Sequence, residues 1–252
     1  MNVIMVVNDK GGVGKSFTAQ GIYLAALKRK LKLTVTEVEM GRRLGAIIPE
    51  ARTVKPPVLT PEELYRNPDA LFQVWDQEAD RWASGEHLVD FGANVFNSFA
   101  TWASRVGREY LGTGVRLTLV AVLSMEQHGL NSGLKHLYDM STLFPEARRV
   151  AVLNPVIADF IEGDKRLASL LEKARGTGAP IEQVRVERMS APAWGYMLNM
   201  GRVDQVLVDE AGKEALMEFL PKGAVLRSYP VLEAWLTGWV SALDQVLPVP
   251  VS

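Results

Sequence analysis

Short apolar runs alternate with longer amphipathic segments along the chain. The apolar runs are rich in β-branched residues, which is typical of strands buried in a parallel sheet. They predict strands at residues 2–7, 33–39, 87–91, 116–124, 149–155 and 183–188. The amphipathic segments predict helices at residues 16–30, 69–83, 97–110, 126–144, 164–174, 213–219 and 231–246. Four prolines predict irregular structure between residues 40 and 61.

This alternation of strands and helices predicts the fold class. We expect an α/β fold with a doubly wound, mostly parallel sheet that carries helices on both faces. The sequence has no internal repeat and no low-complexity linker, so we expect a single domain over residues 1–252.

The composition excludes several classes of site. The chain of 252 residues contains no cysteine, which rules out disulfides, iron–sulfur clusters and thiolate zinc sites. No apolar run reaches the roughly 18 residues that a membrane span needs, so we expect a cytoplasmic protein without membrane insertion. The formal net charge is −1, so any contact with nucleic acid would need a local basic patch.

A glycine-rich stretch, VNDKGGVGKSFTAQG, directly follows the first predicted strand. Gly11, Gly12 and Gly14 let successive backbone N–H groups turn toward an anion, and the next helix adds its positive N-terminal end. In such a loop Lys15 reaches the β- and γ-phosphates and the Ser16 hydroxyl binds Mg²⁺. The stretch therefore predicts a phosphate site at the carboxyl ends of the strands.

The loop departs from the simple G-x-x-x-x-G-K-[ST] pattern at its first two positions. Asp9 stands where that pattern has glycine, and Lys10 is an additional lysine. KGGVGKS resembles the deviant phosphate loop of the ParA/MinD class of ATPases, whose ParA-like branch often replaces that glycine. The resemblance implies that Lys10 reaches across a nucleotide-sandwich homodimer to the partner's phosphates. It also implies ATP and Mg²⁺ as cofactors, with the loop residues as their ligands: Gly11, Gly12, Val13, Gly14, Lys15, Ser16 and Phe17.

The resemblance extends to three further stretches. In TEVEMG, Glu37 and Glu39 match an acidic pair that positions the attacking water, although the family prefers aspartate; they could equally be exposed strand acids. In HLVDFGAN, Asp90 matches an acid that holds Mg²⁺, and a plain helix cap is the alternative for this residue. Gly92 matches a glycine whose backbone senses the γ-phosphate. Asn154 matches a residue that binds adenine, or serves the turn before a proline. Residues 188–197 match the other wall of that pocket.

The resemblance implies a slowly hydrolysing ATPase that dimerises with ATP and signals to a partner protein or to DNA. Plasmid partition, DNA transfer and cargo positioning are the expected roles. A small-molecule ligase on the same scaffold and a nucleotide-binding adaptor that does not hydrolyse remain as alternatives. The basic run at residues 28–32 fits a solvated helix end or a DNA contact. The three histidines show no metal-ligand spacing and are interpreted as structural.

Overall fold

A single seven-stranded sheet organises the chain. The computed structural model describes residues 1–56, 60–67, 69–111, 114–156, 158–197, 203 and 210–248. All pairs of neighbouring strands are parallel, in the order β3-β2-β4-β1-β5-β6-β7, which confirms the predicted doubly wound α/β fold. The strands are β1 Asn2–Val7, β2 Leu33–Val38, β3 Arg52–Val54, β4 Glu86–Phe91, β5 Arg116–Leu123, β6 Arg148–Leu153 and β7 Glu182–Arg185.

Helices cover both faces of this sheet. They are α1 Lys15–Lys28, α2 Leu44–Ile47, α3 Pro61–Arg66, α4 Ala70–Trp82, α5 Val95–Trp102, α6 Arg108–Leu111, α7 Gln127–Leu143, α8 Lys165–Arg175, α9 Trp194–Met197, α10 Glu210–Met217 and α11 Lys222–Asp244. In the part of the chain that the structure describes, no helix is long and apolar enough to cross a membrane.

The apolar runs are continuous because the central strands are buried on both faces. In β1, Val3 and Met5 join a core cluster with α4, α5, α7 and α8. Ile4 and Val6, which point to the other face, join a second cluster with α1 and α11. The two clusters hold the sheet between two helical layers, which fixes the loop after β1 in place.

Three local predictions were incomplete. The segment 40–61, predicted to be irregular, contains α2 and the short edge strand β3, which pairs with β2 in parallel register. The predicted helix 97–110 is interrupted by a π-helical turn at Ala103–Gly107. The last helix begins at Lys222 and runs through Pro230, because Val225, Tyr229 and other residues on both sides of the proline are buried.

The basic run at the end of α1 is partly a structural contact. Arg29 forms two short hydrogen bonds with the Asp244 carboxylate, and it also donates to the backbone carbonyls of Asp244 and Pro248. This residue therefore joins the ends of α1 and α11 and is not available to a polymer.

Candidate functional site

The candidate site lies where β1, β2 and β4 end. These strands are neighbours in the sheet, in the order β2-β4-β1, and they are parallel, so their carboxyl ends share one edge. The loop between β1 and α1 passes over this edge. The last residues of β2 and β4, and the residues that follow them, lie at the same edge, which places the sequence-predicted acids beside the loop.

The loop has a backbone shape that glycine permits. Gly12 has φ +80 and Gly14 has φ +93, both in the left-handed region that side chains disfavour. A methyl group at Gly14 would also overlap Nδ2 of Asn154. Helix α1 begins directly afterwards at Lys15, so its free N–H groups face the loop.

Two asparagines hold the loop from either side. Asn8 donates through Nδ2 to the Gly129 carbonyl at 2.7 Å, and its Oδ1 accepts the Lys10 N–H at 2.8 Å. On the other side, Asn154 donates through Nδ2 to the Val13 carbonyl at 2.9 Å. The structure thus places Asn154 against the loop, where its amide nitrogen binds the backbone.

Lys15, Ser16 and Asp90 come together beneath the loop. The ammonium of Lys15 donates to the Lys10 carbonyl at 3.1 Å. Burial lowers the pKa of Lys15, although Asp90 and Glu39 attract its charge. Burial also raises the pKa of Asp90 to about 7, against a hydrogen bond from Ser16 and the charge of Lys15.

Asp90 is a buried acid without a complete set of partners. Its side chain is almost fully buried and its Oδ1 has no hydrogen-bond partner. A carboxylate oxygen beside a hydroxyl group matches the hard oxygen ligands that Mg²⁺ prefers, and Mg²⁺ commonly takes only one or two protein ligands beside phosphates and water. The pair Ser16 and Asp90 therefore fits a magnesium ion.

The two glutamates at the carboxyl end of β2, Glu37 within the strand and Glu39 directly after it, have different surroundings. Glu37 is buried, and its carboxylate accepts the backbone N–H groups of Arg43 at 2.6 Å, Leu44 at 2.9 Å and Gly45 at 3.1 Å. It therefore holds the start of α2. Glu39 is half-buried and accepts only its neighbouring N–H in the described contacts, so its carboxylate can still receive a ligand.

Gly92 makes room for Glu39. A methyl group at Gly92 would lie 2.5 Å from Oε2 of Glu39. The N–H of Gly92 donates to the Val38 carbonyl at 2.8 Å, so it closes the sheet edge in this structure. Through these contacts of Gly92, the segment that follows β4 packs directly against the segment that follows β2.

Phe17 points away from the loop into an aromatic cluster. Its ring stacks on Trp239, with centroids 4.2 Å apart, and meets the edge of Trp194 at 5.4 Å. Trp235 joins the cluster and donates through Nε1 to the Glu187 carbonyl at 2.7 Å. The side chain of Phe17 thus connects the start of α1 with α11 and with the segment 188–197.

From the sequence, Arg42 and Arg43 were weak candidates for contact with a polymer, and neither was assigned to the phosphate site. Arg43 is exposed, no described carboxylate pairs with its guanidinium group, and its charge helps to lower the pKa of Lys15, whose main cause is burial. Its neighbour Arg42 folds back over α2 and approaches the Pro49 carbonyl at 3.4 Å. Nothing in the local sequence separates these two arginines, because their directions depend on how Glu37 holds the backbone.

Comparison with known proteins gives limited guidance. No protein-family model and no curated protein match the sequence. Among solved structures, the chain is similar to the MinC:MinD cell division protein complex of Aquifex aeolicus, with 14% identity, a TM-score of 0.48 and coverage of 100% of this chain and 99% of that chain. It is also similar to the MinD cell division protein of Aquifex aeolicus, with 14% identity, a TM-score of 0.49 and coverage of 93% and 97%. Similarities at this level leave the assignment of function to the site itself.

Proposed function

We propose that this protein is an ATPase of the ParA/MinD type, which binds ATP with Mg²⁺ and hydrolyses it slowly. One observation carries the proposal: a glycine loop with left-handed turns at Gly12 and Gly14 lies above a cluster formed by the half-buried Lys15 and Ser16 and the buried Asp90. A glycine-rich turn without a ligand would not need a desolvated lysine and, beside it, a buried carboxylate with one oxygen left without a hydrogen bond.

The loop and the start of α1 would hold the phosphates. The backbone N–H groups of residues 11–17 supply donors, and Lys15 supplies a positive charge for the β- and γ-phosphates. Ser16 and Asp90 would hold Mg²⁺, which offsets the negative charge of the phosphates when it is bound. The side chain of Phe17 contributes by fixing the first turn of α1 against α11.

Glu39 is the acid that would orient the attacking water. Its carboxylate reaches the edge beside Gly92 and keeps acceptor capacity, whereas Glu37 already receives three backbone N–H groups. We therefore assign Glu37 the task of holding α2, and Glu39 the catalytic one. Asn154 and the segment 188–197 would border the base, with Asn154 also supporting the loop.

Lys10 would act between two copies of the chain. It is half-buried at the mouth of the loop, and its backbone is fixed through Asn8. A second cation at the phosphates would offset the charge that develops during transfer of the γ-phosphoryl group. ATP would thus favour a homodimer, and hydrolysis would release it. A partner protein or DNA would read this switch, as in plasmid partition, DNA transfer or cargo positioning.

Nucleotide titration tests the proposal directly. We expect the wild-type protein to bind ATP in the presence of Mg²⁺, Lys15→Ala to lose this binding, and Lys28→Ala, at the exposed other end of α1, to retain it. Light scattering should show a doubled mass with a non-hydrolysable ATP analogue but not with ADP, and Lys10→Ala should remain monomeric. A wild-type protein that binds no nucleotide at millimolar concentration refutes the proposal; a mass that ignores the nucleotide refutes the role of Lys10.

A further inference from the structure

Asp9, the residue in place of the expected glycine, joins the phosphate loop to α7. Its backbone N–H donates to Oγ of Ser132 at 3.0 Å, and its Oδ1 lies 3.3 Å from Nε2 of His136. The same histidine nitrogen lies 3.3 Å from Oγ of Ser132. The side chain of Asp9 is therefore directed toward a helix rather than toward the space above the loop.

His136 faces Asp9 at ion-pair distance, and Oδ1 of Asp9 is buried without an aligned hydrogen bond. The histidine is fully buried, its ring lies 4.3 Å from the ring of Phe96, and its Nδ1 has no hydrogen-bond partner. The tautomer with hydrogen on Nε2 places that N–H between Oγ of Ser132, its hydrogen-bond partner, and the carboxylate of Asp9, and it leaves Nδ1 as an unprotonated acceptor. The opposite tautomer would bury an N–H group without a partner, which is more costly.

These contacts fix the backbone on both sides of the Asp9–Lys10 peptide bond. Ser132 accepts the Asp9 N–H and His136 faces the Asp9 carboxylate, while Asn8 holds the Lys10 N–H and is itself bonded to α7 through the Gly129 carbonyl. The anchors on this half of the loop come from the loop itself, from α7, from the Val122 carbonyl of β5 at 2.7 Å and from the backbone N–H of Asn94. The half that contains Lys15 and Ser16 is held through α1 and Asn154, and the two halves meet where the Lys15 ammonium donates to the Lys10 carbonyl.

We infer that His136 is a positioning residue which, through Asp9, fixes the backbone that presents Lys10 to the phosphates. Aspartate replaces the expected glycine because its carboxylate makes the connection to the helix. The inference rests on the proposed nucleotide function and deepens it: binding of a nucleotide by Lys15 and Ser16 does not need this connection, whereas the Lys10-dependent step does.

Three substitutions of His136 separate a positioning role from a packing role. His136→Gln places an N–H donor near the position of Nε2, His136→Asn places one near Nδ1, and His136→Leu has no donor. We expect Leu and Asn to lower kcat for ATP about tenfold, the low end of the range for losing a polar contact with a charged group. Gln should restore kcat to within about twofold, and the affinity for a fluorescent ADP analogue should change by less than about twofold in all three.

Two further comparisons make the test specific. If His136 acts through Lys10, then His136→Leu should reduce kcat no further in a Lys10→Ala background. Met140→Ala, a buried substitution on the same helix away from the loop, controls for general loss of stability and should leave kcat within about twofold of wild type. Additive losses from Lys10 and His136, or an equal loss in the Met140 variant, would overturn the inference.

A readout without nucleotide keeps this inference separate from the proposed function. Hydrogen–deuterium exchange of a peptide covering residues 8–13 should rise at least about threefold in His136→Leu and remain at the wild-type rate in His136→Gln. Unchanged exchange in the leucine variant overturns the inference even if ATP binds. Failure of the wild-type protein to bind ATP would instead remove the proposed function, and the exchange data would still decide whether His136 fixes the loop.

Discussion

Replacing Asp90 by asparagine removes a buried negative charge while retaining nearly the same shape and an oxygen that can accept the Ser16 hydrogen bond. The wild-type carboxylate is almost fully buried and its Oδ1 has no hydrogen-bond partner. Without ligands, the folded protein therefore carries a charge that water would solvate better in the unfolded chain. We expect Asp90→Asn to be more stable than wild type in the absence of nucleotide and metal.

The size of the effect follows from the pKa of Asp90. Burial raises this pKa from 3.8 to about 7, against the opposing effects of Ser16 and Lys15. About three pKa units at about 1.36 kcal/mol each give a ceiling of about 4 kcal/mol. Local relaxation and water penetration reduce such penalties in proteins, so we expect a gain of about 2 kcal/mol at pH 8, or about 4–8 °C in Tm.

The effect should depend on pH with a defined sign. Below about pH 4 the carboxyl group is neutral in both states and costs nothing. Between about pH 4 and pH 7 the unfolded chain loses its proton first, so the wild-type protein loses stability as the pH rises; above about pH 7 the full penalty is present. The advantage of the asparagine variant should thus grow from pH 5 to pH 8.

Urea unfolding of both proteins at pH 5, 6.5 and 8, each with EDTA, measures this difference. Addition of Mg²⁺ and ADP at pH 8 provides the functional control, because wild type should gain more stability from the ligands than Asp90→Asn does. An asparagine variant that is less stable than wild type at pH 8, or an advantage that does not change with pH, would refute the reasoning.

Three further substitutions test individual parts of the site. Glu37→Gln should lower the free energy of unfolding by about 1–3 kcal/mol because it weakens three backbone hydrogen bonds, whereas Glu39→Gln should retain the wild-type stability and slow ATP turnover; equal stability losses would contradict the division of roles. Arg43→Ala should weaken binding of ATP about tenfold relative to ADP, while Arg42→Ala, with a side chain turned toward α2, should not; identical nucleotide affinities in both variants would exclude Arg43 from the phosphate site. Gly14→Ala should lose nucleotide binding and about 1–3 kcal/mol of stability, since its φ is +93; a stable variant with normal affinity would show that this backbone shape is dispensable.

The sequence predicts the scaffold of the site because its signals are local. The apolar run of β1, the glycines after it and the helix that follows are contiguous, so pattern and turn chemistry suffice to place the phosphate loop. The same holds for Asp90, which ends an apolar strand. Strand β3 was missed because it has only three residues, Arg52–Val54, in a segment interrupted by prolines, and its pairing with β2 defines it.

The contacts that hold the loop could not be predicted from local patterns. Asn154 and Val13 are 141 residues apart in the chain, and Asn8 and Gly129 are 121 residues apart. Such pairs meet only after the sheet has brought β1, β5 and β6 together. Likewise, no sequence feature distinguishes His136 from an ordinary core histidine. Only the structure shows that its Nε2 lies beside the Asp9 carboxylate, which is the basis for assigning it a positioning role.

Polar groups at this edge of the sheet form two sets. The presence of the second set distinguishes a binding site from a glycine-rich turn that binds nothing. In the first set, the side chains form hydrogen bonds with backbone groups and so hold the loop and α2 in place; these residues are Asn8, Glu37 and Asn154. Lys15 and Asp90 are instead desolvated and incompletely paired, which a purely structural cluster would avoid. A phosphate chain would neutralise the charge of Lys15, and a divalent cation would neutralise that of Asp90. Binding would therefore recover the free energy that burying these two charges costs the folded protein. Because Asn8, Glu37 and Asn154 hold the backbone in place, Lys15 and Asp90 stay desolvated and incompletely paired until a ligand binds.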